Sequence, residues 1–219
     1  MARVGVVISG CGVFDGAEIH ETMITLLALD RAGAELLMAA PDIDLDVVDH
    51  LSGEPTGEKR NVLVESARIA RGQIIPLHEL KAKDIDALIF PGGFGAAKNL
   101  CNFAENGGEA IAIGEVSRIL RETHAAGKPI GVMCIAPAML AAAFGNEIVT
   151  TLTIGNDEAT AAGIEALGAK HVDCSVDDIV VDEQNRIVST PAYMLGSNIS
   201  EVADGIEKLV SEVVKMTEA

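Results

Sequence analysis

Residues 131–137 read GVMCIAP, an apolar run that passes through Cys134 into an alanine- and leucine-rich stretch. Pro137 suits the first turn of a helix, where its missing N–H costs nothing and its fixed φ fits. The run therefore predicts a strand that turns directly into a helix, with Cys134 at the turn. Such a nucleophile elbow holds one side chain at the carboxyl edge of a sheet, where helix amides and the helix dipole stabilise a thiolate. A buried, inert cysteine is the alternative interpretation, because cysteine is among the most buried residue types.

Outward from this elbow, short apolar runs alternate with longer helical patterns. Strands are predicted at residues 4–8, 35–39, 86–90 and 129–133, and helices at about 17–32, 109–126 and 198–216. The strands are apolar throughout, as strands that are covered on both faces must be. Right-handed βαβ crossovers between them then give a flavodoxin-like three-layer α/β sandwich with a mostly parallel central sheet.

Two segments interrupt the alternation. Residues 41–60 are polar and broken by prolines and glycines, which predicts an excursion beside the sheet and not a linker. Residues 177–182 and 186–189 are two apolar-rich runs separated by a short polar turn, which predicts a β-hairpin. The first long helix has a start signal, since Asp15 can cap it and Glu18, three residues on, can complete a capping box.

Composition restricts the partners and the setting. The chain has 33 acidic and 16 basic residues and a formal net charge of −17, which argues against nucleic acid and anionic membranes as partners. Its 219 residues show no repeat or low-complexity tract, so a single domain over 1–219 is predicted. Neither a membrane-spanning run nor a secretory signal is visible, which predicts a cytoplasmic protein. The four cysteines form no CxxC pair and no cluster has metal-ligand spacing, so free thiols and no metal are expected.

Two further turns are expected at the carboxyl edge of the sheet. The run PGGFGAAKN at 91–99 follows an apolar strand, and the amides of Gly92 and Gly93 could form an oxyanion hole for an adduct on Cys134. Its pattern matches neither dinucleotide nor P-loop motifs, which excludes nucleotide phosphates. On the first helix, Glu21 either points towards Cys134 or is a solvated carboxylate that complements the helix dipole. Cys11, in a turn at the same edge, either lines the pocket or packs inertly.

Several runs together resemble one superfamily over nearly the whole chain. They are SGCGV at 9–13, EIHE at 18–21, PGGFGAAKNL at 91–100, MCIAPAML at 133–140, VDDIVVD at 176–182 and TPAYML at 190–195. The chain resembles the PfpI superfamily of class I glutamine amidotransferase-like proteins and, within it, the ElbB proteins. That group is described both as isoprenoid biosynthesis proteins with an amidotransferase-like domain and as glyoxalases. The resemblance implies a reactive Cys134, a Glu21 that contacts it, and a homodimer.

The chain also differs from some members of the superfamily at positions that affect the reaction. Relatives that hydrolyse glutamine or peptides often carry a histidine directly after the cysteine or further downstream, where this chain has Ile135 and Leu152. A Cys-His-Glu glutaminase is therefore disfavoured, since no histidine stands ready to protonate the ammonia leaving group.

The function implied is a cofactor-independent glyoxalase that acts on small dicarbonyl compounds. It would convert glyoxal to glycolate, and methylglyoxal to lactate, through a Cys134 hemithioacetal with Glu21 as proton shuttle. The amides of Gly92, Gly93 and the elbow residue Ile135 would hold the oxyanion. One alternative is a non-catalytic redox-sensing or binding protein that uses the reactive Cys134. A weaker alternative is an amidotransferase-like subunit.

Overall fold

The computed structural model describes residues 1–218 as a central sheet with helices on both faces. The strands are β1 (Arg3–Val7), β2 (Glu35–Ala40), β3 (Asp44–Val48), β4 (Pro55–Asn61), β5 (Ile75–Pro76), β6 (Ala87–Phe90), β7 (Ile130–Met133), β8 (Thr151–Leu152), β9 (Lys170–His171), β10 (Val180–Asp182) and β11 (Ile187–Thr190). The central sheet has the order β10-β11-β7-β6-β1-β2-β5. Its pairs are parallel except for the antiparallel hairpin β10-β11. The predicted flavodoxin-like α/β fold is confirmed.

The helices cover the two faces of this sheet. They are α1 (Ile19–Arg31), α2 (Val62–Ile69), α3 (Phe94–Lys98), α4 (Phe103–Asn106), α5 (Gly114–Ala125), α6 (Ala136–Phe144), α7 (Glu158–Ala166) and α8 (Ile199–Met216). Alternate strand residues face opposite layers: Leu88 packs in the cluster that includes α5 and α6, whereas Ile89 packs in the cluster that includes α1 and α8. Strands buried on both faces must be apolar throughout, which is the pattern that the sequence shows.

The two interruptions are confirmed as structure beside the main alternation. Residues 41–60 contain most of the hairpin of β3 and β4, which lies outside the central sheet. Residues 177–182 and 186–189 contain most of the antiparallel β10-β11 hairpin at the sheet edge. Within residues 1–218, no helix combines the length and the apolar character needed to cross a bilayer.

The predicted cap of α1 is wrong. Glu18 is the N-cap residue, and its Oε2 accepts a hydrogen bond of 2.7 Å from the amide of Glu21. Asp15 instead accepts a hydrogen bond of 2.9 Å from the amide of Val48, so its carboxylate anchors the β3-β4 hairpin. Asp15 is the preferred N-cap type of the two, but its tertiary contact with β3 leaves Glu18 as the cap. The predicted helix at 109–126 also begins later, at Gly114.

The strand order places four turns side by side. Strands β11, β7, β6 and β1 are neighbours in this order and run parallel, so their carboxyl ends lie at one edge of the sheet. The turns that follow them carry residues 191–194, 134–135, 91–93 and 8–18. A parallel α/β sheet binds its ligands at this edge. The candidate functional site lies there.

Candidate active site

Cys134 occupies the strand-to-helix turn between β7 and α6. It is 7% exposed, and its backbone has a φ of 58°, in the left-handed region that a non-glycine residue enters at a cost of about 1–3 kcal/mol. Its amide donates to the carbonyl of Thr190 on β11 at 3.0 Å, which fixes the turn to the neighbouring strand. The amides of Gly93 and Ile135 both donate towards the sulfur. Cys134 therefore lies in a strained turn between a strand and a helix, and its sulfur faces two amide donors.

Glu21 is fully buried in contact with this cysteine. Its carboxylate accepts a hydrogen bond from the Cys134 thiol. Its Oε2 accepts from the Gly92 amide at 2.9 Å, and its Oε1 accepts from the Tyr193 amide at 3.2 Å. Three segments from three different strand ends thus hold one carboxylate. The solvated alternative for Glu21 is wrong, since the side chain has no exposed surface.

Burial sets the protonation of this pair. Loss of water around Glu21, together with the nearby charge of Glu18, raises the pKa of the Glu21 carboxyl to about 7. Burial and the charge of Glu21 raise the pKa of the Cys134 thiol well above its ordinary value, although the amides of Gly93 and Ile135 act in the opposite direction. Burial therefore opposes the thiolate that the helix amides and the helix dipole favour. The Glu21 carboxyl beside it titrates close to neutral pH.

The magnitudes explain why the helix dipole does not prevail. Complete burial shifts a pKa by up to about 3–5 units, or roughly 4–7 kcal/mol. A favourable charge at a helix terminus is worth at most about 2 kcal/mol. The N-terminus of α6 therefore offsets only part of the desolvation of Cys134.

Gly92 and Gly93 have different roles in the turn after β6. The Gly92 amide, expected to hold an oxyanion, donates to Glu21 instead and is already used. The Gly93 amide is directed at the Cys134 sulfur, as is that of Ile135. A Cβ at Gly92 would lie 2.7 Å from Glu21 Oε2 and closer still to the Cys134 side chain. Gly92 thus lets the carboxylate and the thiol meet, while the amides of Gly93 and Ile135 face the sulfur.

A cavity of about 340 Å³ opens above the sulfur. Its walls are mostly apolar and come from the turns after β1, β6, β7 and β11 and from α3, α4 and α7. The lining residues are Val13, Glu18, Gly93, Phe94, Ala97, Phe103, Ala104, Cys134, Ile135, Thr160, Tyr193 and Met194. Its volume lies within the range of about 300–1,000 Å³ typical of small-molecule sites.

Tyr193 is the polar residue of this cavity that the sequence analysis left without a role. Its hydroxyl and His20 Nδ1 are 2.8 Å apart, and its amide holds Glu21. It follows Ala192, whose φ of 45° turns the chain after β11 towards the site. The available signal was the run TPAYML at 190–195, but its place beside Cys134 depends on the pairing of β11 with β7.

Cys11 does not belong to this cavity. It lines a second cavity of about 260 Å³ beneath the β3-β4 hairpin, together with Asp15, His50, Arg60 and others. Burial and the charge of Glu65 raise the pKa of its thiol. The interpretation of Cys11 as a pocket residue beside Cys134 is therefore wrong. Over residues 1–218, no group of His, Cys, Asp and Glu side chains is arranged to hold a metal ion.

The fold and the site together define a flavodoxin-like α/β protein with a buried Cys-Glu pair at the carboxyl edge of its sheet. Residues 11–194 match the DJ-1/PfpI family. The chain belongs to that family, as the sequence runs predicted.

Relatives that are similar over nearly the whole chain agree with this assignment. The human glutamine amidotransferase-like class 1 domain-containing protein 3, mitochondrial, is 48% identical over 99% of this chain and 84% of that protein. The zebrafish (Danio rerio) ES1 protein, mitochondrial, is 34% identical over 98% of this chain and 86% of that protein. Both names place those relatives in mitochondria, and the cytoplasmic location of this chain stays a prediction.

Solved structures show the same fold. An isoprenoid biosynthesis protein with an amidotransferase-like domain from Ehrlichia chaffeensis has a TM-score of 0.91 and 37% identity, covering 97% of this chain and 99% of that one. Drosophila melanogaster DJ-1beta has a TM-score of 0.57 and 19% identity, covering 100% of this chain and 97% of that one. The second likeness is one of fold alone.

Proposed function

We propose that this protein is a cofactor-independent glyoxalase that converts glyoxal and water to glycolate, and methylglyoxal and water to lactate. The observation that carries the proposal is the buried contact between the Cys134 thiol and the Glu21 carboxylate. A thiol nucleophile beside a base whose pKa is near 7 is the pair that addition to an aldehyde and proton transfer between carbons require. The overall reaction moves electrons only within the substrate, so no external oxidant or reductant is needed.

Addition comes first. The sulfur bonds to the aldehyde carbon while its proton passes to Glu21, and the electron pair of the carbonyl moves onto oxygen. The amides of Gly93 and Ile135, which already face the sulfur, support a role in holding this alkoxide. Glu21 then returns the proton to give the hemithioacetal. Because burial raises the pKa of the thiol, the base is needed in this first step.

Proton transfer between carbons follows. Glu21 takes the hydrogen of the thiol-bearing carbon as a proton, and the electron pair left behind forms the double bond of an enediolate, whose negative charge lies on the oxygen of the neighbouring carbon. The same carboxyl then delivers that proton to the neighbouring carbon. The hydroxyl proton of the first carbon passes to the negative oxygen, and the first carbon becomes the carbonyl of a thioester. Water then attacks that carbonyl, the carbon–sulfur bond breaks, and the sulfur recovers its proton. The product is the hydroxy acid.

Tyr193 is suited to serve the second carbonyl of the substrate. Tyr193 lines the cavity, and its hydroxyl lies 2.8 Å from His20 Nδ1. When His20 Nδ1–H donates to the Tyr193 oxygen, the tyrosine O–H is left to donate to the oxygen that becomes negative as the enediolate forms. We expect Tyr193→Phe to lower kcat about tenfold, in keeping with the loss of one hydrogen bond to a developing charge. Replacing His20 with Gln should give a smaller loss, because the hydroxyl remains. Steady-state kinetics on methylglyoxal tests both, and an unchanged kcat for Tyr193→Phe contradicts the role.

The direct test is glycolate formation from glyoxal with no glutathione or metal added. We expect multiple turnovers by the purified chain, measured as glycolate by chromatography. The absence of turnover, with Cys134 still open to alkylation as judged by peptide mass spectrometry, would reject the glyoxalase proposal.

The two alternatives have less support in the site. A redox sensor needs a thiolate that reacts readily with peroxide, whereas burial raises the pKa of the Cys134 thiol. Glutamine hydrolysis by a Cys-His-Glu site needs a histidine near the sulfur. Among the described residues that line the cavity above Cys134 there is none.

A further inference from the structure

The cavity above Cys134 is larger and more apolar than glyoxal requires. Glyoxal carries hydrogen in place of a side chain, so an aldehyde bound at the sulfur would leave most of the 340 Å³ filled with water. Phe94, Phe103 and Met194 form much of the wall beyond the sulfur. An apolar wall of this kind gains about 25 cal/mol for each Å² of apolar surface that a ligand removes from water.

The charges around the cavity are negative. Glu18 lines it and Glu21 lies beneath it, whereas no Lys, Arg or His occurs among its described lining residues. Lys98 does not line the cavity: its Nζ lies 5.2 Å from the centre of the Phe94 ring and donates to the Phe14 carbonyl at 3.1 Å. A negatively charged substituent beyond the two amides at the sulfur would therefore face an apolar wall and nearby acidic side chains, with no lysine, arginine or histidine among the described lining residues.

We propose that the preferred substrates are neutral 2-oxoaldehydes that carry an apolar substituent, such as an aromatic ring. This inference rests on the proposed function. The aldehyde carbon takes the sulfur of Cys134, and the ketone oxygen takes the Tyr193 hydroxyl. The substituent packs against Phe94 and Phe103. Carboxylated or phosphorylated 2-oxoaldehydes and glutathione adducts are excluded by their charge.

Matched substrates test this selectivity. We expect kcat/KM for phenylglyoxal to exceed that for glyoxal about tenfold to a hundredfold, in the range that added apolar contact provides. We expect 4-carboxyphenylglyoxal, which has the same ring and one negative charge, to fall at least about tenfold below phenylglyoxal. Equal values for the two aromatic substrates, or a preference for glyoxal over phenylglyoxal, would overturn the inference. Cys134→Ser, treated in parallel, corrects for reaction of the substrates with arginine.

A wall variant adds a structural control. Phe94→Ala should lower kcat/KM for phenylglyoxal about tenfold more than kcat/KM for glyoxal, because the ring contacts only the aromatic substituent. Ile111→Ala removes an apolar side chain that is 70% exposed and does not line the cavity, so it should change neither value. An equal loss for both substrates in Phe94→Ala would contradict the assignment of this wall to the substituent.

Alkylation of Cys134 tests the same cavity without turnover. The alkylation rate of Cys134 is measured by mass spectrometry of its peptide with N-phenyliodoacetamide, iodoacetamide and iodoacetate. Each rate is divided by the rate at which the same reagent alkylates N-acetylcysteine. We expect the normalised rate to be highest for the phenyl reagent, about tenfold lower for iodoacetamide, and about tenfold lower again for iodoacetate. If this order holds while no 2-oxoaldehyde is turned over, the proposed function fails and the ligand class stands. If turnover occurs and the order is absent, the ligand class fails alone.

Discussion

Cys134→Ser and Glu21→Gln should each remove glyoxalase turnover almost completely. A serine hydroxyl in this buried turn is a far weaker nucleophile than the thiol, and the loss should exceed about a thousandfold. Glu21→Gln keeps the shape of the side chain and removes the base. Loss of a general base typically lowers the rate by about 10²–10⁴-fold. Glycolate formation from glyoxal measures both losses.

The pH dependence of kcat/KM tests whether the loss of turnover in Glu21→Gln is due to the Glu21 carboxyl. The active form has Glu21 ionised, and burial raises the pKa of this carboxyl to about 7. Below that pH the carboxyl is protonated and cannot accept the thiol proton, so kcat/KM should rise with pH and level off above about 7. The residual kcat/KM of Glu21→Gln should not show this rise with pH. If the rise persists unchanged in Glu21→Gln, it belongs to another titrating group.

Control variants separate these roles from damage to the fold. Cys174→Ser alters a half-buried thiol that does not line the Cys134 cavity, and Glu65→Gln alters a buried carboxylate that lines the second cavity. Both should keep wild-type kcat. Glu21→Gln also places an amide NH₂ against either the Gly92 or the Tyr193 amide, so its thermal unfolding must be measured beside its kinetics. Normal folding with normal turnover in Glu21→Gln would contradict the mechanism.

Local pattern was sufficient for the fold and for the position of Cys134, whereas the contact of Glu21 with Cys134 was implied by the family resemblance. Apolar runs such as 86–90 and 129–133 correspond to the buried strands β6 and β7, because burial on both faces allows only apolar residues. The expectation that three strand-end turns meet at one edge follows from parallel strands alone. That expectation places the turns that carry Cys134, Glu21 and residues 91–99 at the same edge of the sheet from the sequence alone.

The remaining features depend on contacts between distant segments. Asp15 has the right type for a cap, but the Val48 amide on β3 takes its carboxylate. Tyr193 reaches the site only because β11 lies beside β7, and no local signal specifies that neighbour. The thiol pKa required the burial of Cys134 and the charge of Glu21, which are both products of packing.

Gly92→Ala is the second change with a large expected effect, and its expected cause is steric. A Cβ at this position would overlap the Cys134 side chain and approach Glu21 Oε2 to 2.7 Å. The Cys134 neighbour is the Cβ attached directly to the backbone of a turn with a φ of 58°, so it cannot swing aside as a flexible chain end would. We expect the free energy of unfolding to fall by about 1–3 kcal/mol, as overpacking of a buried site does.

Activity should fall much further than stability. The methyl group enters the space where the thiol and the carboxylate meet, and a displacement of about 1 Å of reacting groups costs on the order of a hundredfold in rate. Gly114→Ala is the matched control, because its added Cβ meets nothing within 4 Å at the start of α5. That variant should keep full activity and gain up to about 1 kcal/mol of stability. Because Gly92 supplies its amide to Glu21 and its empty side-chain position to Cys134, a Gly92→Ala variant with wild-type turnover would show that the two groups need not touch.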